Sequence, residues 1–400
     1  MNVPKAPPCA ECGSDPVFHR MTYYTILIDD TMRGILDPGF VGRFLNPLVF
    51  KVEEVLSPLF ISLFMKVRWA ERLTEPDDET QLLALMLWNE AKERSITVEE
   101  VRLFGLPRNI FVATLANGRR ISYEGIPLPA SSVSRVPWLD DKEKLKKEFT
   151  KRGLPVAEGG TARTLSEAKR IFRKLSAPVI VKPYSGSGSR HTVLHVDTEE
   201  KLKTAFEIAK QICPAAVIEE ELVGPVYRAT VVDGVLEATL RRDQPHVLGD
   251  GIHTIETLVK AANENPKRKG PYFHELSLDA LADEELAWQS LTRTSVPEKE
   301  QRVLLHQKIN WSVGGTTADV TDDVHPDNRE LFERVAKELK ASIVGIDFII
   351  SDVARSWKET ERCGIIECNS MPFFDNHHLP FEGKPRNVAA KIWDMIERSK

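Results

Sequence analysis

The residues that could do chemistry fall in a set order along the chain, with lysines first and carboxylates last. The apolar run Ala177-Pro178-Val179-Ile180-Val181 ends in Lys182 and Pro183. A small-residue loop follows, Ser185-Gly186-Ser187-Gly188-Ser189. Val193-Leu194-His195-Val196 then reads as a second short strand, so the pair forms a hairpin. The exposed backbone N–H groups of such a loop can wrap phosphate oxygens. It is not a P-loop, in which the lysine follows the glycines and opens a helix. Taken alone, it is equally a plain hairpin with a flexible tip. A helix lysine, Lys142, stands 40 residues before Lys182, and an acidic strand end, Glu219 to Leu222, begins 37 residues after it. Far downstream one strand carries Asp347, and 20 residues later another carries Glu367 and Asn369. Two lysines neutralise a polyanion, and Asp347, Glu367 and Asn369 are hard oxygen donors of the kind Mg2+ takes. Cations for phosphate followed by oxygens for metal describe a metal–nucleotide site.

The elements that must position these groups are legible in the periodicity. Asp141–Arg152 is a basic helix, and Ser166–Leu175 is a helix leading into the Lys182 strand. Asp197-Thr198-Glu199-Glu200 starts another, with Leu202, Ala205, Phe206, Ala209 and Ile212 on one face. Ala216–Ile218 is a strand, and two more, Arg228–Val232 and Val235–Arg241, join at Asp233-Gly234. Residues 256–305 are charged and helical. Asp327 and Glu330 open a helix whose apolar side is Leu331, Phe332, Val335, Ala336 and Leu339. Strands Ser342–Ile350 and Gly364–Asn369 and a closing amphipathic helix, Val388–Ile396, complete the chain. Upstream, Tyr23–Ile28 reads as a strand and residues 31–75 are irregular and apolar. Gln81–Glu93 has helical spacing, and short strands are expected at Glu100–Phe104, Ile110–Leu115 and Arg120–Tyr123, with Asn117-Gly118 as a two-residue hairpin turn.

At 400 residues the chain should hold about two to three domains. The expected division is a tail at 1–20, a small N-terminal α/β domain at 21–135, and a larger unit at 136–400. A hydrophobic content of 42% and charged content of 28% suit a globular protein. The net charge of −5 argues against nucleic acid or an anionic membrane as a partner. Five cysteines in so long a chain are no disulfide framework, and a reducing cytoplasm is the simpler home. The N-terminus lacks an apolar signal segment. The most apolar stretch, Leu56–Met65, carries Pro58 and lies between Lys51 and Lys66, too short to span a bilayer. Cys9-Ala10-Glu11-Cys12 with His19 has the residue types of half a zinc site, but no second CxxC or HxxxH completes a tetrahedron, since Cys213, Cys363 and Cys368 stand apart, and a disordered tail is the expectation over metal binding.

The series of motifs from about Asp141 to Ile396 resembles the ATP-grasp superfamily, and within it the ligase domain of cyanophycin synthetases. Its most specific pieces are Val247-Leu248-Gly249-Asp250-Gly251-Ile252-His253-Thr254-Ile255, Gly314-Gly315-Thr316, the run Asp319 to Asn328, Gly345-Ile346-Asp347, Ile365-Ile366-Glu367-Cys368-Asn369 and Gly383 to Val388. The Gly-Asp-Gly-x-His-Thr-Ile stretch is also similar to the ATP-grasp domain of fused bacterial glutathione synthetases. The resemblance implies an α+β ATP-grasp fold, with two α/β lobes (141–225 and 226–400) sandwiching ATP behind a small α/β N-terminal domain. It implies a carboxylate–amine ligase that works through an acyl-phosphate, with ATP as cofactor, Mg2+ as metal and Mn2+ as a substitute. By the same resemblance Lys142 and Lys182 contact phosphates, Ser185, Gly186, Ser187, Gly188 and Ser189 form the lid loop, and Glu219 with the Glu220–Leu222 backbone holds adenine. Asp347, Glu367 and Asn369 hold the metal. Arg228, Arg242 and Arg386 are the candidate catalytic residues, clamping phosphate or substrate carboxylate bidentately. The implied partners are amino acids or peptides, and relatives of this type often form homo-oligomers.

The chain departs from the family's pattern in two places. Val226 stands where a ribose-binding carboxylate is usual, and Pro372-Phe373 replaces the usual Pro-Gly, which points to a remodelled acceptor pocket. The cyanophycin enzymes also carry a further C-terminal ligase domain, which a chain ending at Lys400 lacks, so cyanophycin synthesis itself is not expected. Two other readings stay open, a glutathione-synthetase-like peptide ligase and a catalytically weak ATP-binding regulator or scaffold. Other assignments have plainer alternatives too. Lys146 or Lys147 could take the place of Lys142. The Glu219–Glu221 run could be an ordinary acidic edge, Arg386 could cap the last helix, and His377-His378 could be structural. Asp347 is harder to explain away, since a carboxylate between Ile346 and Phe348 is costly to bury without a partner.

Overall fold

Among the described residues, four antiparallel sheets organise the chain. The computed structural model describes residues 6–7, 9–12, 16–36, 69–129, 142–185, 190–270, 272–306, 309 and 313–399. Leu56–Met65 and the Gly186–Ser189 part of the loop lie outside them. Tyr23–Ile28 is not a strand but falls within a helix, α1 (His19–Leu36). Its β-branched and aromatic residues favour a strand only when a sheet offers packing partners, and a helix satisfies its own backbone.

The N-terminal unit comprises β1 (Ala70–Leu73), α2 (Leu82–Glu93), β2 (Thr97–Leu103), β3 (Leu106–Thr114) and β4 (Arg120–Glu124), its strands in the order β1-β2-β3-β4. The β3–β4 turn is wider than a two-residue hairpin. Leu115 N donates to Arg119 O at 2.9 Å, and Gly118, not Asn117, takes the positive φ of 83°. The inner face of this sheet, with Phe111 and Ala113, packs on Leu87, Trp88 and Ala91 of α2 and on the last helix of the chain.

The next lobe contains α3 (Lys142–Lys151), β5 (Gly159–Ala162), α4 (Leu165–Phe172), β6 (Val179–Pro183), β7 (Val193–Val196), α5 (Glu199–Lys210) and β8 (Ala216–Glu220). Its sheet runs β5-β8-β6-β7, all antiparallel. Thr164 and Glu167 form a reciprocal capping box that starts α4, and Thr198 caps α5. Alternate residues of β6 (Val179, Val181) and β8 (Ala216, Ile218) bury against Leu202, Ala205 and Phe206 of α5, so the other face of the sheet, with Ile180 and Lys182, is left for a ligand.

The last lobe is built on β9 (Val226–Val232), β10 (Val235–Asp243), β11 (His246–Leu248), α6 (Ile255–Asn263), α7 (Ala280–Trp288), β12 (Arg302–Leu304), β13 (Thr316–Asp319), α8 (Pro326–Leu339), β14 (Ile343–Ile349), β15 (Gly364–Asn369), α9 (Asp375–His378) and α10 (Val388–Arg398). The main sheet runs β13-β10-β9-β14-β15 and is antiparallel throughout. Asp233 and Gly234, with φ of 51° and 79°, form the turn between β9 and β10, which matches the twist of the paired strands. Every residue of β9 is buried, because both faces of the strand are covered. Tyr227, Ala229 and Val231 pack with Ile346 and Phe348 of β14 against Leu331, Phe332, Val335 and Leu339 of α8.

One face of the N-terminal sheet holds a small cluster of its own, Ala70, Val101 and Val112, but its larger core is shared. Its apolar cluster continues through Val388, Ile392, Trp393 and Ile396 of α10 to Val232 and Ile343 of the main sheet. Trp393 Nε1 donates to Leu87 O at 2.9 Å inside that cluster, and the Arg119 guanidinium caps the end of α10 on the carbonyls of Ile396 and Ser399. Among the described residues no helix is long and apolar enough to cross a membrane.

Candidate active site

Strand register assembles one half of the site. Arg228 of β9 lies directly opposite Asp347 of β14, and Asp347 lies opposite Glu367 of β15, so all three share one row and one face of the sheet. Arg242 of β10 pairs with Val226 and Asn369 of β15 with Gly345, which puts both on that same face. The opposite face takes Cys368, which is buried in the apolar core as its strand position predicts. Asp347 is 3% exposed and is not left uncompensated. Arg228 grips it with two nitrogens, Nε on Oδ1 and Nη2 on Oδ2, the latter at 2.8 Å. Arg242 Nη1 adds a longer contact to Oδ2 at 3.5 Å. Burial works against the charge on Arg228, yet Asp347 outweighs it and raises the guanidinium above its ordinary range. Gly345 makes room for this pair, since a Cβ there would meet Pro372 at 2.7 Å and the Arg228 stem at 3.4 Å. Among the described residues no ion pair or side-chain hydrogen bond engages Glu367, and Asn369 Nδ2 is buried without a partner.

The other half comes from the lobe of α3 and β5–β8. Glu219, near the end of β8, is held by two lysines, Lys182 Nζ at 2.6 Å and Lys146 Nζ at 2.7 Å. Burial favours the protonated form of Glu219, but Lys182 and Lys146 outweigh it and hold the carboxyl down at about 2. Among the described side chains of α3, Lys146 is the lysine that shares Glu219 with Lys182. Lys142 opens α3 one turn earlier, and its side chain lies outside the described residues.

A cavity of about 580 Å³ separates the two halves. Its walls include Ile180, Ile349 and Ile366, the connection Glu219–Val226 runs along it, and Lys182, Arg242 and Arg302 supply cations. That connection is tightly constrained. Gly224 has a φ of +124°, and a Cβ there would lie 2.2 Å from Ile350 O. Arg362 reaches across from the loop before β15 to the carbonyl of Glu221 and, at 3.3 Å, to Glu220 Oε1. Glu221 accepts from His195 N at 2.9 Å and faces His195 Nδ1 at 2.9 Å. The His195 ring stacks on Trp288 of α7, with centroids 4.4 Å apart. Each acid of the Glu219–Glu221 run thus has its own cationic or imidazole partner, unlike a solvated acidic edge.

No protein-family model matches the chain. It is 32% identical over 260 residues to the cyanophycin synthetase of Trichormus variabilis, covering 64% of this chain and 29% of that protein. The cyanophycin synthetase of Synechocystis sp. is 34% identical over 272 residues, covering 66% and 31%. A glutathione biosynthesis bifunctional protein of Clostridium perfringens is 30% identical over 291 residues, covering 71% and 37%. The chain spans about a third of the length of these curated relatives. Its fold is similar to that of a bifunctional glutathione synthetase from Pasteurella multocida, with a TM-score of 0.57 and 24% identity over 79% of this chain and 43% of that one. The chain is an ATP-grasp protein.

In this ATP-grasp protein the predicted residues sort into three groups. Lys182, Glu219, Glu220, Leu222 and Arg242 line one cavity, with Arg228, Asp347, Glu367 and Asn369 on the adjoining sheet face. Ser185 follows β6, and Gly186–Ser189 are not described. Arg386 is not brought to the cavity as a free anion clamp. Its guanidinium is committed to Asp319, at 3.0 and 2.7 Å, and to Asp322 at 2.8 Å, because the chain entering α10 runs beside β13. Val226 is buried and lines the cavity, so an apolar side chain occupies the place where a carboxylate is usual in the family. Phe373 is exposed.

Sequence reasoning missed several groups. Arg362 sits in a loop with φ of 52° and carries no motif. Asp375 and Asn376 stand beside the conspicuous His377-His378 pair. The buried Oδ1 atoms of Asp375 and Asn376 have no partner among the described residues, and burial pushes the Asp375 carboxyl up. His377 and His378 serve structure. His377 Nε2 meets Thr230 Oγ1 at 2.7 Å in the core, and His378 Nε2 accepts from Ala389 N at 3.2 Å.

Proposed function

We propose that this ATP-grasp protein is an ATP- and Mg2+-dependent ligase joining an amino acid or peptide carboxylate to an amine. The observation that carries the reading is the convergence of opposed charges on one cleft. Lys182, Arg242 and Arg302 line a cavity of about 580 Å³, Lys146 shares Glu219 with Lys182 at its wall, and Arg228, Asp347, Glu367 and Asn369 share the adjoining sheet face. The sequence similarity to cyanophycin synthetases and to a glutathione biosynthesis protein supports the same chemistry.

The donor set fits Mg2+ or Mn2+ by its chemistry. Asp347, Glu367 and Asn369 can each present a side-chain oxygen, on rigid adjacent strands. When bound, the metal would be held by Asp347, Glu367 and Asn369 and would offset the charge on the transferring phosphoryl group. In the free protein Arg228 and Arg242 occupy Asp347. With an anion in the cleft they can turn to its oxygens and leave the carboxylate for the metal, so the site exchanges internal ion pairs for external ones. Adenine would lie against the backbone of residues 220–222 between Ile180 and Ile349, with Lys182 and Lys146 at the phosphates. A substrate carboxylate oxygen attacks the γ-phosphorus and ADP leaves. The amine nitrogen then attacks the acyl carbon, phosphate leaves, and the nitrogen gives up a proton. Asp375 and Asn376, beside Arg228, would face the acceptor. A cytoplasmic location and small amino acid or peptide substrates complete the reading.

The test is turnover. Protein with Mg-ATP is presented with pairs of amino acids and short peptides, recording ADP, phosphate and product mass. Substrate-stimulated ADP release with a product one water lighter than its parts is expected. ATP binding with no stimulated turnover in any pool would sink the ligase reading and favour a nucleotide-binding regulator, whose supporting feature is an Asp347 already saturated by arginines.

A further inference from the structure

The N-terminal segment is held to the lobe of β5–β8 by four side chains that no motif joins. Cys9, Cys12, His19 and His191 bring their ligand atoms within 4.8 Å of one another. Cys12 Sγ is 3.3 Å from His19 Nε2 and 3.4 Å from His191 Nε2, and Cys9 Sγ is 3.8 Å from His191 Nε2. With Zn–S of about 2.3 Å and Zn–N of about 2.05 Å, a tetrahedral ion sets S···N edges of roughly 3.6 Å, so the three distances bracket the length a zinc centre requires. Cys12 and His191 are buried, and Cys9 and His19 are half-buried.

The surroundings are also arranged as a metal centre would need. Cys12 N donates to Cys9 O at 3.2 Å, curling the Cys-x-x-Cys segment so that both sulfurs face one side. His191 N donates to Glu11 O at 3.0 Å, docking the turn on the lobe. His191 Nδ1 lies 2.9 Å from Ile208 O of α5. A ring nitrogen beside a carbonyl must carry the proton, so Nε2 presents its lone pair to the cysteines. His191 holds this pose at a φ of 53°, a left-handed conformation that a non-glycine residue adopts at a cost. Weak thiol–imidazole hydrogen bonds are poor compensation for that strain and for closing a loop of 179 residues between Cys12 and His191.

We propose that Cys9, Cys12, His19 and His191 bind one zinc ion as a closed, four-ligand structural site that staples the N-terminal segment to the ATP-binding lobe. Sulfur and imidazole donors select zinc over the Mg2+ suited to the oxygen site. Four protein ligands leave no open position, so the role is structural, not catalytic. Binding forms two Zn–S and two Zn–N bonds and releases both thiol protons to solvent, and nothing is oxidised or reduced. His191 directly follows the Ser185–Arg190 stretch, so the staple anchors one end of that loop.

The test uses the full chain purified without a polyhistidine tag. Elemental analysis should find about one zinc per chain, and X-ray absorption should give a shell of two sulfurs and two nitrogens. Cobalt(II) exchanged into the site should show thiolate-to-metal charge-transfer bands and the intense visible bands of a tetrahedral centre. Cys9→Ala, at a half-buried position, should weaken zinc binding beyond the roughly 10- to 100-fold expected from losing only an outer hydrogen bond. His191→Ala should do the same if it folds. Removing zinc with a chelator should speed proteolysis near Arg20 while the remaining chain stays protected. A native protein free of zinc that takes up cobalt without charge-transfer bands overturns the proposal. So does a Cys9–Cys12 disulfide in the native protein, or zinc content unchanged in a folded Cys9→Ala/Cys12→Ala variant.

Discussion

Glu219→Gln keeps the shape of a buried side chain and removes its charge, which isolates the electrostatic role of Glu219 between two lysines. In the fold its carboxyl lies at about 2 against 4.5 in a free chain. That difference corresponds to about 3 kcal/mol of stability at neutral pH. A second route gives a similar size. Lys182 and Lys146 lie 2.6 and 2.7 Å from Glu219, and removing one partner of a buried ion pair costs roughly 3–5 kcal/mol. The pH dependence follows from the direction of the shift. A carboxyl whose folded value is depressed contributes fully above its unfolded value of 4.5, and the contribution fades as pH falls from there toward about 2. Urea unfolding of the wild type and Glu219→Gln, followed by far-UV circular dichroism from neutral to acidic pH, reads both features. The variant should be less stable by about 3 kcal/mol at neutral pH, with the gap closing in acid as the wild-type carboxyl takes up its proton. A gap under about 1 kcal/mol, the worth of an exposed pair, or one that does not change with pH, would refute the reasoning.

Three further outcomes can be checked. Gly224→Ala should lower stability by about 2–4 kcal/mol, because its Cβ would stand 2.2 Å from Ile350 O at a φ of +124°; an unchanged melting temperature would remove the steric argument. Arg228→Met should cost about 3–5 kcal/mol by removing the two-nitrogen partner of a buried carboxylate, whereas Arg228→Met with Asp347→Leu should recover most of it. An additive double-mutant cycle would show that the two do not act as a pair. Lys182→Ala and Glu367→Ala should each abolish ligation while the circular dichroism spectrum stays native, and full turnover by either would remove the roles proposed for them.

Much of the fold is legible because its elements are locally determined. The stripe Leu331, Phe332, Val335, Ala336 and Leu339 does form the buried side of α8, and Asp233-Gly234 does form the turn between two strands. Errors arise where context outweighs propensity. Tyr23–Ile28 has the composition of a strand but no neighbouring strand, and it folds as helix. Asn117-Gly118 carries a two-residue turn signal, yet Leu115 and Arg119 pair across a wider loop. Helical spacing places Lys142 and Lys146 one turn apart on the same face, so it cannot choose which of them meets Lys182.

Residue type and spacing dictate the kinds of chemistry available and their order along the chain: lysines and a small-residue loop, an acidic strand end, then Asp347, Glu367 and Asn369. Those are properties of residue type and spacing, and strand alternation alone already sends Cys368 to the core and its two neighbours to the other face. Which groups become partners is set by the folding of distant elements onto one another. Strand register sets Arg228 against Asp347 across 119 positions, the docking of α3, whose Leu145 and Phe149 pack in the core of the main sheet, gives Glu219 to Lys146, and His191 closes a Cys/His cluster with a cysteine 179 positions away. Such pairings depend on through-space distance between elements. Coulomb attraction, hydrogen bonding and metal ligation all act over a few ångströms, and local periodicity carries no information about which distant residues come that close.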